Sequence, residues 1–401
     1  MSPTLGALGI FLSFGLIVVL VLRRVNYGLA LTLGAVILGL FFGLTPIDFF
    51  EGAYFTVTDS ATIELALVVT LIPILAKSME DTKLMEGFIE GLKNKLSPRA
   101  VLATVPAVLG LLPMMGGALL SAPIIDDEAS NLGLSAEKKS VINLWFRHIW
   151  FYASPLSPTL IIMESLTGIR LYQIILVNLT TFLSHIVIGY FFIIKPIGNV
   201  CVKASSTNLW HTLVKGSTPI TLTIVSNIVG VPLTVSLVLG IASALILGRF
   251  DLKRSVKTVK DGFQWKLIVA TLGVMYFRYV IRFAGTDSFI ISYATNLGVP
   301  VVAFITAIPL LFGLITAHPT ASIVMSVPLA LSALKVLSPA TLSILYISTV
   351  VSYNISPLHL CLVLTVSYFK PKIREVYLWL LPLFTLDYVV GLLTGFTLMG
   401  F

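Results

Sequence analysis

Long apolar blocks follow one another along this chain, and their length decides the fold before any motif is read. Residues 5–22, 29–44, 61–76 and 171–194 are examples. A helix needs roughly 20 apolar residues to cross a hydrocarbon core. With no water there, backbone N–H and C=O groups must pair within the segment, which selects helices. Apolar residues make up 57% of the chain and charged residues 11%, against about 25% charged in a soluble domain. The expectation is an all-α polytopic membrane protein in the cell membrane, with the lipid bilayer as its main partner.

The apolar pattern predicts spans at 4–22, 28–46, 61–77, 139–165, 171–194, 209–228, 231–248, 265–283, 339–368 and 375–399. Two further stretches, 99–124 and 301–330, are interrupted by Pro and Gly near their middles and are expected to be re-entrant helical hairpins. The charges favour this count. With Arg23 and Arg24 inside, alternation also puts Lys77, Lys83, Lys93, Lys95, Arg99, Lys138 and Lys139 inside. The same holds for Arg249, Lys253, Arg254, Lys257, Lys260, Lys370, Lys372 and Arg374, as the positive-inside rule requires. Arg170, Arg278, Arg282 and Lys335 fall outside. Arg23 and Arg24 follow the first apolar block, so that block reads as a retained span, not a signal peptide. Both termini are then outside.

The net charge of +8 is spent on topology and leaves no basic stripe for a nucleic acid. Cys201 and Cys361 are too far apart in sequence and too unlike in setting to suggest a disulfide, and no metal-ligand spacing occurs. No cofactor is expected. No HExxH, GxSxG or Walker A motif points to an enzyme or a primary pump.

An internal repeat organises the chain. Pro98 corresponds to Pro300, Gly110-Leu111 to Gly313-Leu314, and Ser121-Ala122-Pro123 to Ser326-Val327-Pro328. Ser135 and Ser338 precede long spans as N-cap candidates, and Ser154-Pro155-Leu156 matches Ser356-Pro357-Leu358. All these offsets lie between 202 and 205. Residues 1–194 form a first repeat, 195–216 a cytoplasmic linker in which the next span begins, and 217–401 a second repeat. Five crossings per repeat invert one against the other, the arrangement of secondary transporters with a midplane site.

Four breaks in the helical pattern mark that site. They are the tip 113–117, the tip 316–320, the segment 154–158 and the segment 354–359. Helix termini at such breaks offer N–H groups to anions. The expected substrate-binding residues are Gly116, Gly117, Ser121, Arg147, Ser154, Pro155, Ser157, His318, Pro319, Thr320, Asn354, Ser356 and His359. His148, His185 and Asp387 are candidates for coupling, because ionisable groups deep in a span are costly to bury. His185 and Asp387 sit 202 residues apart at matching points of their repeats.

The runs Gly116–Pro123, Phe146-Arg147-His148-Ile149-Trp150 and Ser356-Pro357-Leu358-His359-Leu360-Cys361 resemble an uncharacterised prokaryotic family of predicted ten-span proteins. That family is grouped with the ion transporter superfamily, which also holds gluconate, lactate, citrate and dicarboxylate permeases, arsenite pumps and sodium/proton antiporters. The resemblance covers nearly the whole chain. It implies a scaffold and a mobile unit with opposed hairpins that moves like an elevator, and it is compatible with a homodimer. Sodium-coupled dicarboxylate members carry Ser-Asn-Thr at their tips, where this chain has Met-Gly-Gly and His-Pro-Thr. The coupling ion is therefore left open between proton and sodium. The resulting expectation is a secondary transporter of a small anion, organic acids first. The alternatives are a cation/proton antiporter on the same fold and a membrane-embedded enzyme.

The charge pattern makes a direct prediction about sidedness. Single cysteines at positions 88 and 257, in a background lacking Cys201 and Cys361, should react with an impermeant thiol reagent from the inner face. Labelling from the outer face overturns the topology.

Overall fold

The computed structural model describes residues 3–111, 117–198, 210–286, 289, 298, 300–334 and 336–400. Gly116 and the rest of the first hairpin tip at 113–115, most of the linker, and Lys335 lie outside the described residues. The described residues form helices joined by short turns, with no strand among them.

The first half contains α1 Pro3–Leu22, α2 Tyr27–Phe41, α3 Pro46–Thr58, α4 Ser60–Asp81 and α5 Leu84–Lys95. It continues with α6 Pro98–Leu111, α7 Gly117–Asn131, α8 Ala136–Arg147, a 3-10 turn Ile149–Tyr152, α9 Pro158–Thr167 and α10 Leu171–Ile188, which runs on as a π-helical turn Gly189–Ile194. The second half contains α11 Trp210–Ile228, α12 Leu233–Leu247, α13 Leu252–Gly262 and α14 Trp265–Phe283. It ends with α15 Val301–Ile305, α16 Ala307–Thr316, α17 Pro319–Leu334, α18 Pro339–Ile355, α19 Leu360–Phe369 and α20 Ile373–Met399.

Among the described residues, five helical segments are long and apolar enough to cross a membrane: Thr4–Leu22, Ser60–Asp81, Leu171–Ile194, Pro339–Phe369 and Ile373–Met399. Their outer faces stay apolar, with large exposed side chains such as Phe11, Leu67, Leu176 and Leu393. A helix that is apolar on its exposed face belongs in lipid, and the chain is a multi-pass membrane protein.

Local chemistry sets the helix ends. Thr45 and Asp48 close a reciprocal capping box on α3, satisfying two of the N–H groups that a helix start leaves free. Asp251 caps α13 by accepting from the Arg254 N–H at 2.8 Å. Ser338 caps α18 by accepting from the Thr341 N–H at 3.1 Å, with Pro339 at the first helical position. Ser135 holds the corresponding place before α8, but its hydroxyl is bonded to the Glu137 carboxylate and makes no cap. The amphipathic helices α5 and α13 are short and did not register as apolar blocks. The Thr258 hydroxyl of α13 donates to Asp81 of α4 at 2.8 Å.

The contacts of the two halves exchange. α1 packs on α2 as α11 packs on α12, and α2 on α14 as α12 on α4. α3 meets α14 as α13 meets α4. The hairpin α6–α7 is matched by α16–α17, and α6 against α8 by α16 against α18. α7 meets α19 as α17 meets α9, and α8 meets α20 as α18 meets α10. The contacts α4–α14 and α10–α20 map onto themselves and so lie on the exchange axis. Two bodies result. One holds α1–α5 and α11–α14. The other holds both hairpins, both broken helices, α10 and α20.

The hairpins pack close to the broken helices because glycine permits it. A Cβ on Gly110 would lie 1.9 Å from the Arg147 carbonyl oxygen, and one on Gly313 2.1 Å from Ser352 Oγ and 2.9 Å from the Thr349 carbonyl oxygen. Gly110→Ala should therefore lower stability by about 1–3 kcal/mol, the usual cost of overpacking. Gly15, where a Cβ meets nothing within 4 Å, should tolerate alanine without loss. Thermal melts in detergent compare the two, and equal melting temperatures would refute this packing.

Candidate functional site

Both broken helices turn through the same Ser-Pro-Leu geometry. The Leu156 N–H donates to Ser154 Oγ at 3.2 Å, and the Leu358 N–H to Ser356 Oγ at 3.3 Å. The turns end on Ser157 and His359, which share an extended backbone and stand at the N-termini of α9 and α19. Pro155 is buried inside the first turn. The Ser356 hydroxyl also donates to the Leu314 carbonyl at 2.6 Å, tying the second break to the second hairpin.

Arg147 ends α8, one residue before the irregular segment. It is 5% exposed, so the guanidinium does not reach toward a surface. It lies against the start of α7, where a Cβ on Gly117 would fall 2.0 Å from Nη2. Among the described residues no carboxylate is within ion-pair distance of it, and Nη1 has no hydrogen-bond partner. Cys361 is within hydrogen-bond reach of both Arg147 and Tyr353.

Two imidazoles stand beside this guanidinium. The rings of His148 and His359 are 4.8 Å apart, and Tyr353 lies 4.1 Å from His359. His148 Nδ1 is 2.6 Å from the Leu144 carbonyl and His359 Nδ1 is 3.4 Å from the Asn354 carbonyl. A carbonyl only accepts, so both Nδ1 atoms carry the proton and both Nε2 atoms are free to accept. His359 Nε2 and Asn354 Oδ1 are buried and unpartnered. The donor atoms of His148, His359 and Cys361 lie within 4.8 Å of one another. That spread exceeds the roughly 3.5 Å between neighbouring ligands of a tetrahedral zinc site with bonds of about 2.0–2.3 Å, and the guanidinium alongside repels a cation.

The hairpin residues fall into place around this cluster. Ser121 is fully buried and its hydroxyl donates to Asn143 Oδ1 at 2.5 Å. Asn143 Nδ2 donates to the Ala118 carbonyl and to Thr365 Oγ1, both at 3.0 Å. Asn143 thus joins the first hairpin to α8 and α19. At the second hairpin Thr320 meets Thr159 at 3.0 Å, and Ser157 meets Tyr346 at 3.4 Å. Pro319 is the first residue of α17. His318 has a different setting from His148 and His359. Its Nδ1 accepts from the Ala321 N–H at 3.3 Å, and its ring packs at a tilt of 46° against Tyr27 of α2, with centroids 4.6 Å apart.

His185 and Asp387 form a separate site. Nδ1 is 2.9 Å from Oδ2, and both side chains are fully buried. Trp145 stacks on His185 at 3.8 Å. Asp126 and Glu128, at the end of the first hairpin, pair with Lys139 at 2.6 Å and Lys93 at 3.6 Å.

Sequence reasoning missed Tyr353, Cys361, Asn143, Thr159 and Tyr346. Asn143 could have been found, since it lies one helical turn before Arg147 and so shares its face. Asn143→Ala should remove the donor to Thr365 Oγ1 and the shortest partner of Ser121, which keeps only longer contacts to the Gly117 and Ala118 carbonyls, and lower stability by about 1–3 kcal/mol. Asn143→Asp should cost more, because it buries a charge in the same place. A thermal shift series on the purified protein checks the order, and melting of Asn143→Ala at the native temperature would count against the network.

No curated protein sequence matches the chain. Among solved structures, the YdaH transporter of Alcanivorax borkumensis, described as having an unusual topology, is similar to it. The match has a TM-score of 0.66 and 15% identity and covers 86% of this chain and 87% of that one. At that identity the likeness concerns the fold. The sequence profile of one family matches residues 6–396, and the chain belongs to that family, described as Protein of unknown function (DUF401).

Proposed function

We propose that this protein is a secondary active transporter of a small organic anion, working by alternating access. The observation that carries the reading is Arg147, a buried guanidinium with a free Nη1 and no carboxylate beside it. A buried cation with no counter-ion in contact is costly, so this position favours an arriving anion. The start of α7 at Gly117 adds backbone N–H groups to the same place. The fold shared with the YdaH transporter supports a transport role.

In this reading the hairpins α6–α7 and α16–α17 are re-entrant and approach from opposite membrane faces. The ten crossings and the inverted repeat follow from the charge pattern and the exchange of contacts. The body holding the hairpins and broken helices moves against the body of α1–α5 and α11–α14, as in elevator transport across the ion transporter superfamily. The principal contacts between them are α1 with α16, α4 with α9, α5 with α6 and α14 with α17.

The free acceptors narrow the substrate. His359 Nε2 accepts, and Arg147 Nη1 donates. A carboxylate carrying a neighbouring hydroxyl satisfies both, whereas a simple carboxylate leaves the imidazole unpartnered. Lactate should therefore bind more tightly than propionate, by about 1–3 kcal/mol for the buried hydrogen bond. Isothermal titration of the purified protein compares the pair. Arg147→Gln should abolish binding of both, and His359→Phe should remove only the difference. Glu164→Gln, at the end of α9, should bind as the native protein does. Native binding of potassium or sodium ions with no response to any carboxylate would overturn the anion reading.

A further inference from the structure

The His185–Asp387 pair is a proton count written in heavy-atom positions. His185 stands on α10 and Asp387 on α20, at exchange-related positions on the axis where these helices meet. His185 Nε2 is 3.1 Å from the Trp145 carbonyl, Nδ1 is 2.9 Å from Asp387 Oδ2, and Ser184 Oγ is 2.6 Å from Oδ1. A carbonyl cannot donate, so Nε2 must carry a proton. The Nδ1–Oδ2 contact is then a hydrogen bond only if a second proton lies between those atoms. A neutral imidazole, a carboxylate and the Ser184 hydroxyl bring two protons to three contacts. The third contact requires one more. The arrangement is that of the protonated pair, whichever atom holds the shared proton.

Removing that proton leaves a choice of two conflicts. Either the Nδ1 lone pair faces the carboxylate, or the Nε2 lone pair faces the Trp145 carbonyl. Both atoms are fully buried, where an unmade hydrogen bond is costly. The conflict therefore reaches Trp145, two residues before Arg147 on α8. The other ionisable groups around the pair are Tyr152 from the 3-10 turn, with its hydroxyl beside Asp387, Tyr346 of α18, and His148 of α8, which in turn neighbours Arg147. None is a second carboxylate.

Charge balance connects this pair to the anion site. Among the described residues, Arg147 and Asp387 are the buried groups with a standing charge. With the pair deprotonated they cancel. An anion on Arg147 leaves Asp387 in excess, and a proton on the pair restores zero. A net charge in the membrane interior is expensive, so the two ligands favour each other. We infer that the His185–Asp387 pair is the coupling site, and that one proton enters with each monovalent anion bound at Arg147. The coupling rests on the anion reading above, while the proton site stands on the geometry of the pair.

Two measurements on the purified full-length protein test this and separate the claims. The first needs no substrate. Trp145 lies parallel to His185 at 3.8 Å, with 2° between the rings, so loss of the proton should change its fluorescence. Fluorescence followed as the pH is raised should show one change that disappears in both Asp387→Asn and Trp145→Phe. A native signal that is flat, or unchanged in Asp387→Asn, overturns the proton site. The second adds lactate or propionate in weak buffer with a pH dye. At a pH above that change, uptake close to one proton per bound anion is expected, and affinity should fall about tenfold per pH unit there, by reciprocal linkage. Asp387→Asn donates its amide N–H to Nδ1 and reproduces the protonated pair, so its affinity should lose this pH slope. Binding without proton uptake overturns the coupling and leaves the anion reading intact. No binding of either acid overturns both, and the fluorescence titration still decides the proton site.

Discussion

Two Ser-Pro-Leu turns break the helices at the centre of this molecule. In a membrane interior every backbone N–H and C=O must find a partner, and a broken helix frees several. Ser154 and Ser356 accept the N–H groups of Leu156 and Leu358. Ser356 also donates to Leu314 of the second hairpin. Proline at 155 and 357 removes one donor at each break, so fewer groups remain to be satisfied. Because the breaks are closed in this way, His359 can start α19 and Arg147 can end α8 without local unfolding. The hairpins then fit against the breaks through Gly110 and Gly313. The position of each chemical group around Arg147 follows from these turns.

The polar groups divide into three networks with different tasks. Asn143, Ser121 and Thr365 are fully paired with one another and with the Ala118 carbonyl, so they brace the first hairpin. His185, Asp387, Ser184 and Trp145 are paired only while a proton is held. Arg147, His359 and Asn354 keep unpartnered atoms. A buried polar network left partly satisfied is a strain on the fold. Three of the unpartnered atoms thus gather in one place, next to the helix start at Gly117.

The spacing of the repeat made much of this legible. It paired Gly110 with Gly313 and Ser154 with Ser356, and it set His185 opposite Asp387 before any distance was known. Helix type and the broken segments followed from apolar blocks interrupted by Pro and Gly. What stayed hidden lacked such a signal. The helices α3, α5 and α13 are too short and too polar to read as blocks. Cys361 and Tyr353 gain their meaning from neighbours on other helices, so the rule of one residue and its sequence offset could not find them. His318 looked like a ligand because it sits in a tip. Its ring also caps α17 and packs at a tilt against Tyr27, a contact between elements almost 300 residues apart that periodicity does not encode.

The two halves share a backbone and differ in chemistry, and electrostatics explains why. The offset of 202 residues sets Arg147 opposite Thr349, Tyr152 opposite Asn354, Ser157 opposite His359, Thr159 opposite Cys361 and His185 opposite Asp387. Had the repeats kept identical side chains, a second arginine would stand at 349. Two buried like charges with one carboxylate between them would leave the interior with net charge, at a cost of several kcal/mol. Identity at the axis is worse still. Two carboxylates in contact at 185 and 387 would have to share a proton in every state, and two imidazoles would lose the standing negative charge that offsets Arg147. Unlike partners on the axis give a pair whose hydrogen bonds are complete in one protonation state and broken in the other. The duplication supplies the breaks and the close approaches of helices, and the divergence of side chains supplies one cation, one anion and the proton between them.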